Sequence, residues 1–271
     1  MRKLKAGIVG CGVIGSYLAG FLEREFSNKV SLAYLCDHNE SRARRLKKKV
    51  KSGPRVVGLN ELVRGSDFVI EAASPAAAAQ VLEAAASRPV TVLMMSVGGF
   101  LKLGMPLAEF SRKFRGRLIV PSGAITGVDG LLAAREAGVL EVSLITRKPP
   151  AGLNEAPYFK TKKFPELRGK KEACVFRGTA AQAVAAFPQN INVAAVLSLA
   201  GLGFRRTRVE LWTSRAYRVN SHEVRIRHKG GLLLTRAENL PSRENPKTSA
   251  LALHAAAAAL RRIFSNVLIG T

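Results

Sequence analysis

The chain has 271 residues, 47% of them apolar, which is enough to bury a core in one or two domains and excludes disordered and fibrous classes. Forty-three Lys and Arg against nineteen Asp and Glu give a net charge of +24, a balance that attracts nucleic acid, phosphate-bearing cofactors or anionic substrates. No stacking aromatics interleave with the basic runs as a single-strand platform requires, so nucleic acid is not expected as a partner.

Cys11, Cys36 and Cys174 lie in apolar settings and suggest neither a disulfide framework nor a metal site. A strand opens within four residues of the start and no apolar run is long enough to span a bilayer. A cytoplasmic protein with no signal peptide and no membrane association is therefore expected.

Leu4 to Val9 reads as a short apolar strand, followed at once by Gly10-Cys11-Gly12-Val13-Ile14-Gly15 and an amphipathic helix to about Phe26. Val30 to Cys36 is a second strand, ending in Asp37, and a charged helix covers about Glu40 to Val50. Val56-Val57 is a third strand and Leu59 to Val63 a short helix. Phe68 to Ala73, Val90 to Met94 and Leu118 to Pro121 are further strands, with a helix over Ala76 to Ala86. Continuously apolar strands separated by helices argue for a parallel sheet covered on both faces, an α/β arrangement.

The glycine motif gains weight from its place, directly after a strand and opening a helix, with an acidic residue 22 positions after Gly15. Gly10 permits the tight turn, Gly12 lets the backbone reach a pyrophosphate, and Gly15 lets helix and strand pack closely. The N–H groups at Val13, Ile14 and Gly15 then face an anion on the positive end of the helix. Asp37 suits the ribose hydroxyls of NAD. His38, Asn39, Arg42 and Arg44 follow it and are able to take the extra phosphate of NADP, so use of both cofactors stays open. Ala73-Ser74 and Ser96-Val97-Gly98, at two strand ends, are expected to line the same crevice.

Beyond Ser122 the pattern changes. A helix over Val128 to Ala137 precedes candidate strands at Val139 to Arg147, Glu172 to Arg177, Thr207 to Thr213, Tyr217 to His228 and Leu232 to Glu238. Helices near Ala180 to Ala186 and Asn192 to Leu199 interrupt them. This is an α+β pattern with a mostly antiparallel sheet. Lys148 to Arg168 reads as an exposed loop, and a final alanine-rich helix runs from about Ser249 to Phe264.

His222, near the start of a strand, is the candidate proton donor or acceptor, because imidazole titrates near neutral pH. Asn190 and Asn192 suit either a helix cap or a carboxamide contact. Ser242 and Lys247, in the polar run ahead of the last helix, suit an anionic substrate.

Val120-Pro121-Ser122-Gly123-Ala124, Phe187 to Ala195, Asn220 to His222 and Glu238 to Ser249 together resemble the L-aspartate dehydrogenase family over nearly the whole chain. The resemblance implies NAD(P)-dependent oxidation of L-aspartate to iminoaspartate, which hydrolyses to oxaloacetate and ammonia or supplies NAD biosynthesis. It implies His222 as the catalytic residue, Ala124 and Asn190 as contacts on the nicotinamide side, and a homodimer built through the second sheet. It also implies a Rossmann domain of 1–122 completed by 246–271, with a substrate and dimerisation domain at 123–245. Two departures stand out: Ser214-Arg215 where the family carries Asp-Pro, and the absence of an acidic residue and Phe-Gly before Gly230-Gly231. A homoserine dehydrogenase or dihydrodipicolinate reductase relative, or a basic NAD-sensing regulator, are the alternatives.

Overall fold

The computed structural model describes residues 2–169, 171–188, 192–240 and 249–270. By its internal contacts the chain divides into two compact units, Met1–Pro121 and Ser122–Thr271, the last helix falling in the second span.

The first unit alternates strand and helix: β1 (Leu4–Val9), α1 (Val13–Phe26), β2 (Val30–Cys36), α2 (Glu40–Lys47), β3 (Arg55–Val56), α3 (Leu59–Gly65), β4 (Phe68–Glu71), α4 (Pro75–Ala85), β5 (Thr91–Met94), α5 (Leu107–Lys113) and β6 (Arg117–Ile119). The six strands form one sheet in the order β3-β2-β1-β4-β5-β6, and every pairing is parallel. Such an order reverses direction between β1 and β4, which opens a crevice beyond the carboxyl ends of those strands. All four residues of β4 are buried, as a strand covered on both faces must be. Ile8, Val69, Ile70, Val92 and Leu93 are fully excluded from solvent, each contributing about 1.5–3 kcal/mol of hydrophobic burial.

Two elements between β5 and β6 carry no signal in the sequence pattern: a 3-10 turn at Val97–Leu103 and the short helix α5. They are held by an edge-on contact of Phe100 with Phe110 at 5.1 Å and stacking of Phe110 on Phe114 at 4.8 Å.

The second unit comprises α6 (Val128–Ala137), β7 (Val139–Lys148), β8 (Ala173–Thr179), α7 (Ala180–Ala186), α8 (Asn192–Ala200), β9 (Arg208–Thr213), β10 (Asn220–His228), β11 (Gly231–Asn239) and α9 (Ala250–Phe264). Its five strands run in the order β11-β10-β7-β9-β8. The sheet is mostly antiparallel, with β7 and β9 parallel.

Alternation along β7 buries Val142, Leu144, Thr146 and Lys148 and leaves the intervening residues half-exposed. Helix α6 packs on the buried face against β7 and β10, and α8 packs on α6. The opposite face carries Arg147, Glu223, Arg225, Arg227 and Glu141 in ion pairs, beside Leu232 and Leu234, which are 60% and 55% exposed.

The segment after β7 departs from the expected exposed loop. Lys148 is the last residue of β7 and only 4% exposed. Beyond it, Tyr158, Phe159 and Phe164 form a ring cluster with Phe176 and Phe187, and Leu153 is buried. Ring contacts with buried Phe187 tie down a segment whose lysines and prolines suggest a solvated loop. No described helix is long and apolar enough to cross a membrane.

Candidate active site

In the first unit the glycine turn is shaped by contact with its neighbours. Gly10 has a φ of +95°, and a Cβ there would lie 2.6 Å from the backbone of Ala72 and Ala73. A Cβ on Gly15, in the first turn of α1, would lie 1.8 Å from the Gly10 carbonyl oxygen, so helix and turn close up only without one. A Cβ on Gly12 would meet nothing within 4 Å. The space over the turn is therefore open while its flanks are tight. Helix α1 begins with neither a side-chain cap nor an acidic residue in its first turn. The N–H groups of Val13, Ile14 and Gly15, with the positive end of the dipole, are thus suited to an anion. An open cradle on an uncapped helix fits a dinucleotide pyrophosphate.

Asp37 lies just past β2 with its side chain 4% exposed. Its Oδ2 accepts from Cys11 N at 2.7 Å and its Oδ1 from Asn39 N at 2.9 Å. The carboxylate therefore clamps the glycine turn to the end of β2, and its remaining lone pairs are what a ribose hydroxyl would meet. His38 stands outside it, 86% exposed, with Nδ1 3.1 Å from Asp37 Oδ1. The Cys11 thiol, buried beside this carboxylate, is pushed up to about 12 by desolvation and then by the Asp37 charge.

Glu71, the last residue of β4, carries no motif signal, yet it joins the two expected crevice loops. It is fully buried. Its Oε1 accepts from Ala73 N at 2.9 Å and its Oε2 from Ser96 N at 2.9 Å. Burial raises its pKa, and hydrogen bonds from Ser96, Ala73 and Ser74 oppose the rise. Ala73 and Ser74 are exposed, Ser74 capping α4 through Ala77 N at 3.2 Å. Ser96, Val97 and Gly98 are buried.

In the second unit the polar groups gather at one end of the buried sheet face. His222 is 3% exposed and pairs in register with Thr146 on β7. Its Nδ1 shares a hydrogen bond with Thr146 Oγ1 at 3.0 Å. Burial, and then the nearby Lys148 charge, lower its pKa to about 3, so the imidazole is neutral.

Asn220 and Asn239, paired across β10 and β11, share this face with His222. Asn239 Nδ2 donates to the Ala124 carbonyl at 3.1 Å, fixing the buried Ala124 backbone. Asn220 Nδ2 approaches Ser249 Oγ at 3.5 Å. Asn192 is the first residue of α8 and partly exposed. Asn190, Ser242 and Lys247 lie outside the described residues.

Ser214, where the family pattern has Asp, is buried and closes a turn. Its Oγ accepts from Ala216 N at 3.2 Å and donates to the Lys171 carbonyl. Thr146 is the residue that holds His222, and neither Thr146 nor Lys148 belongs to a motif legible in sequence.

Comparison with known proteins follows the same division. Residues 10–121 match the family described as homoserine dehydrogenase, NAD binding domain, and residues 129–263 match aspartate dehydrogenase, C-terminal. An L-aspartate dehydrogenase of Methanosarcina acetivorans is 42% identical over 273 residues, covering 99% of this chain and 100% of that protein. One from Methanothermobacter thermautotrophicus is 36% identical over the full length of both. The crystal structure of aspartate dehydrogenase from Thermotoga maritima superposes with a TM-score of 0.74 at 25% identity, covering 99% of this chain and 100% of that one. An apo scyllo-inositol dehydrogenase from Lactobacillus casei, with a TM-score of 0.52 at 16% identity, shares the fold. The chain belongs to the L-aspartate dehydrogenase family.

Proposed function

We infer that this protein oxidises L-aspartate at its α-carbon to iminoaspartate with NAD or NADP, the imine hydrolysing to oxaloacetate and ammonia or supplying NAD biosynthesis. The observation that carries this reading is the neutral, buried His222, with one ring nitrogen held by Thr146 and the other left for chemistry.

Gly10, Gly12, Val13, Ile14 and Gly15 would hold the pyrophosphate and Asp37 the adenosine ribose. Ala73, Ser74, Ser96, Val97 and Gly98 would support the cofactor from the neighbouring strand ends. Ala124 and Asn190 would meet the nicotinamide side. Asn192, Ser242 and Lys247 would serve the substrate carboxylates. Use of NADP as well as NAD is favoured by the inward engagement of both Asp37 oxygens, which softens repulsion of a 2′-phosphate. Arg44 is paired with Glu40 at 2.6 Å and His38 lies against Asp37 at 3.1 Å, so exposed Arg42 is the group for that phosphate.

The bound nicotinamide supplies the hydride acceptor. His222 takes a proton from the substrate amine or activates the water that hydrolyses the imine. Either role requires Nδ1–H to donate to Thr146 Oγ1, leaving the Nε2 lone pair free as the acceptor. A dicarboxylate arriving beside the imidazole offsets the Lys148 field and makes Nε2 more basic.

The direct test follows absorbance at 340 nm with oxaloacetate, ammonia and either NADH or NADPH. Consumption of the reduced cofactor is expected, and its rates rank the two nucleotides. No consumption with either, and none formed from aspartate in reverse, rejects the reaction.

The uncovered face of the second sheet favours a homodimer. Leu232 and Leu234 stand exposed there among paired Arg and Glu side chains, an apolar pair rimmed by charge. Leu232→Glu with Leu234→Glu should halve the mass measured by light scattering. An unchanged mass rules out this face as the interface.

A further inference from the structure

A cleft opens at the other end of the second sheet from His222, where β7 and β9 begin and β8 and β10 end. It holds about 530 Å³, within the roughly 300–1,000 Å³ of small-molecule sites. Five arginines line it: Arg177, Arg205, Arg206, Arg208 and Arg227. Among the described residues its acidic lining is limited to Glu141 and Glu210. Glu141 and Arg227 lie five residues along β7 and β10 from Thr146 and His222, about 17 Å at the rise of a strand. An odd separation also turns them to the opposite face. The cleft is therefore separate from the His222 cluster.

Both carboxylates are already engaged. Glu210 Oε1 accepts from Arg177 Nε at 2.9 Å and its Oε2 from Trp212 Nε1 at 2.9 Å. Glu141 lies between Arg208 and Arg227, at 3.9 and 3.6 Å. Among the described residues neither Arg205 nor Arg206 has a side-chain hydrogen bond or ion pair. Their backbone is nonetheless fixed. The Phe204 carbonyl accepts from Ala181 N at 3.0 Å and the Thr207 carbonyl from Ala180 N at 2.9 Å, one on each side of the two arginines. Thr207 Oγ1 donates to the Gly203 carbonyl at 3.0 Å and closes the turn. A cleft lined by one sign of charge concentrates its field, and an entering anion relieves the repulsion among the arginines. The guanidinium fork matches phosphate oxygens two at a time. No aromatic ring is among the described lining residues, so the cleft offers no platform for a base.

We propose that this cleft binds a small anion carrying two or more phosphate groups, with Arg205 and Arg206 as its principal contacts. Three more arginines than carboxylates suit more than one phosphate. Leu232, in register with Arg227, is where the inferred subunit contact comes nearest the cleft, so particle mass is measured beside binding.

Trp212 is the single tryptophan of the chain, and its bond to Glu210 makes its emission a reporter of the cleft. The test titrates inorganic pyrophosphate into wild type and into Arg205→Ser with Arg206→Ser, both exposed positions, and follows that emission. A saturable change is expected in wild type. Half-saturation should rise at least about tenfold in the double variant, the loss of one or more charged hydrogen bonds. Tricarballylate, of similar charge without phosphate, should require at least about tenfold more than pyrophosphate in wild type. The mass by light scattering should be the same in both proteins. No saturable response in wild type, or one unchanged in the variant, overturns the proposal. Equal half-saturation by tricarballylate overturns the phosphate assignment. A variant of lower mass that no longer responds gives the two arginines to the subunit contact instead.

Discussion

Each of the two sheets buries a polar cluster at one end, and they satisfy it in opposite ways. In the first, Glu71 is enclosed at the carboxyl end of β4, and the backbone of its own loops supplies its donors, from Ala73 and Ser96. In the second, His222 has one ring nitrogen held by a hydroxyl and shares its face with a buried ammonium, amides and hydroxyls. A buried carboxyl that accepts from both loops ties them together, because pulling the Ser96 loop away strands a buried N–H. A neutral imidazole fixed at one nitrogen holds its other nitrogen in a set direction. Under the proposed function, the first cluster is scaffold for the cofactor and the second is chemistry for the substrate.

That contrast is broken most sharply at His222. His222→Ala should lower kcat by about 10²–10⁴-fold, the usual contribution of a positioned acid or base. NAD affinity, measured by fluorescence titration, should remain near wild type. An unchanged kcat removes His222 from the reaction. Thr146→Val tests the orientation separately: it keeps the shape and deletes the hydroxyl, so kcat should fall about tenfold while NAD binding holds.

At Glu71 the prediction is reversed. Glu71→Ala leaves the Ala73 and Ser96 N–H groups without their acceptor, at about 1–3 kcal/mol for the buried Ser96 N–H and less for the exposed Ala73. Chemical denaturation should show that loss, and NAD affinity should fall with it while the aspartate KM at saturating NAD changes little. A folded Glu71→Ala protein with wild-type NAD affinity would show that the staple does not set the cofactor loops.

The contrast also explains what the sequence made legible. Strand-helix alternation and the Gly10, Gly12 and Gly15 motif depend on local periodicity and turn chemistry, so they read directly along the chain. Glu71 sits in a short buried strand, Phe68–Glu71, and its meaning comes from Ser96, 25 residues away. Nothing local announces that contact. Lys148 was open to discovery: Val142, Leu144 and Thr146 set a period of two that continues through it. Pro149 and Pro150 make the same residue look like the start of a loop. The helix α5 escaped because seven residues, three of them charged, give too little periodicity to register.

The smallest expected effect separates the clusters by the sign of their response to acid. His222 has a folded pKa lowered to about 3 from an ordinary 6.5. The unfolded chain therefore takes up its proton first, and the contribution of His222 to stability is complete above pH 6.5 and lost as pH falls towards 3. Between pH 7.5 and 5 this amounts to about 2 kcal/mol. Glu71 has a raised folded pKa, so its contribution is complete below about 4.5 and diminishes as pH rises through the folded value. Urea denaturation from pH 5 to 7.5 should thus flatten in His222→Gln, which cannot titrate. In Glu71→Gln the wild-type rise in stability with pH should steepen instead, because the opposing carboxyl is gone. Curves shifting in the same direction in both variants would mean that the two buried groups do not ionise as their surroundings imply.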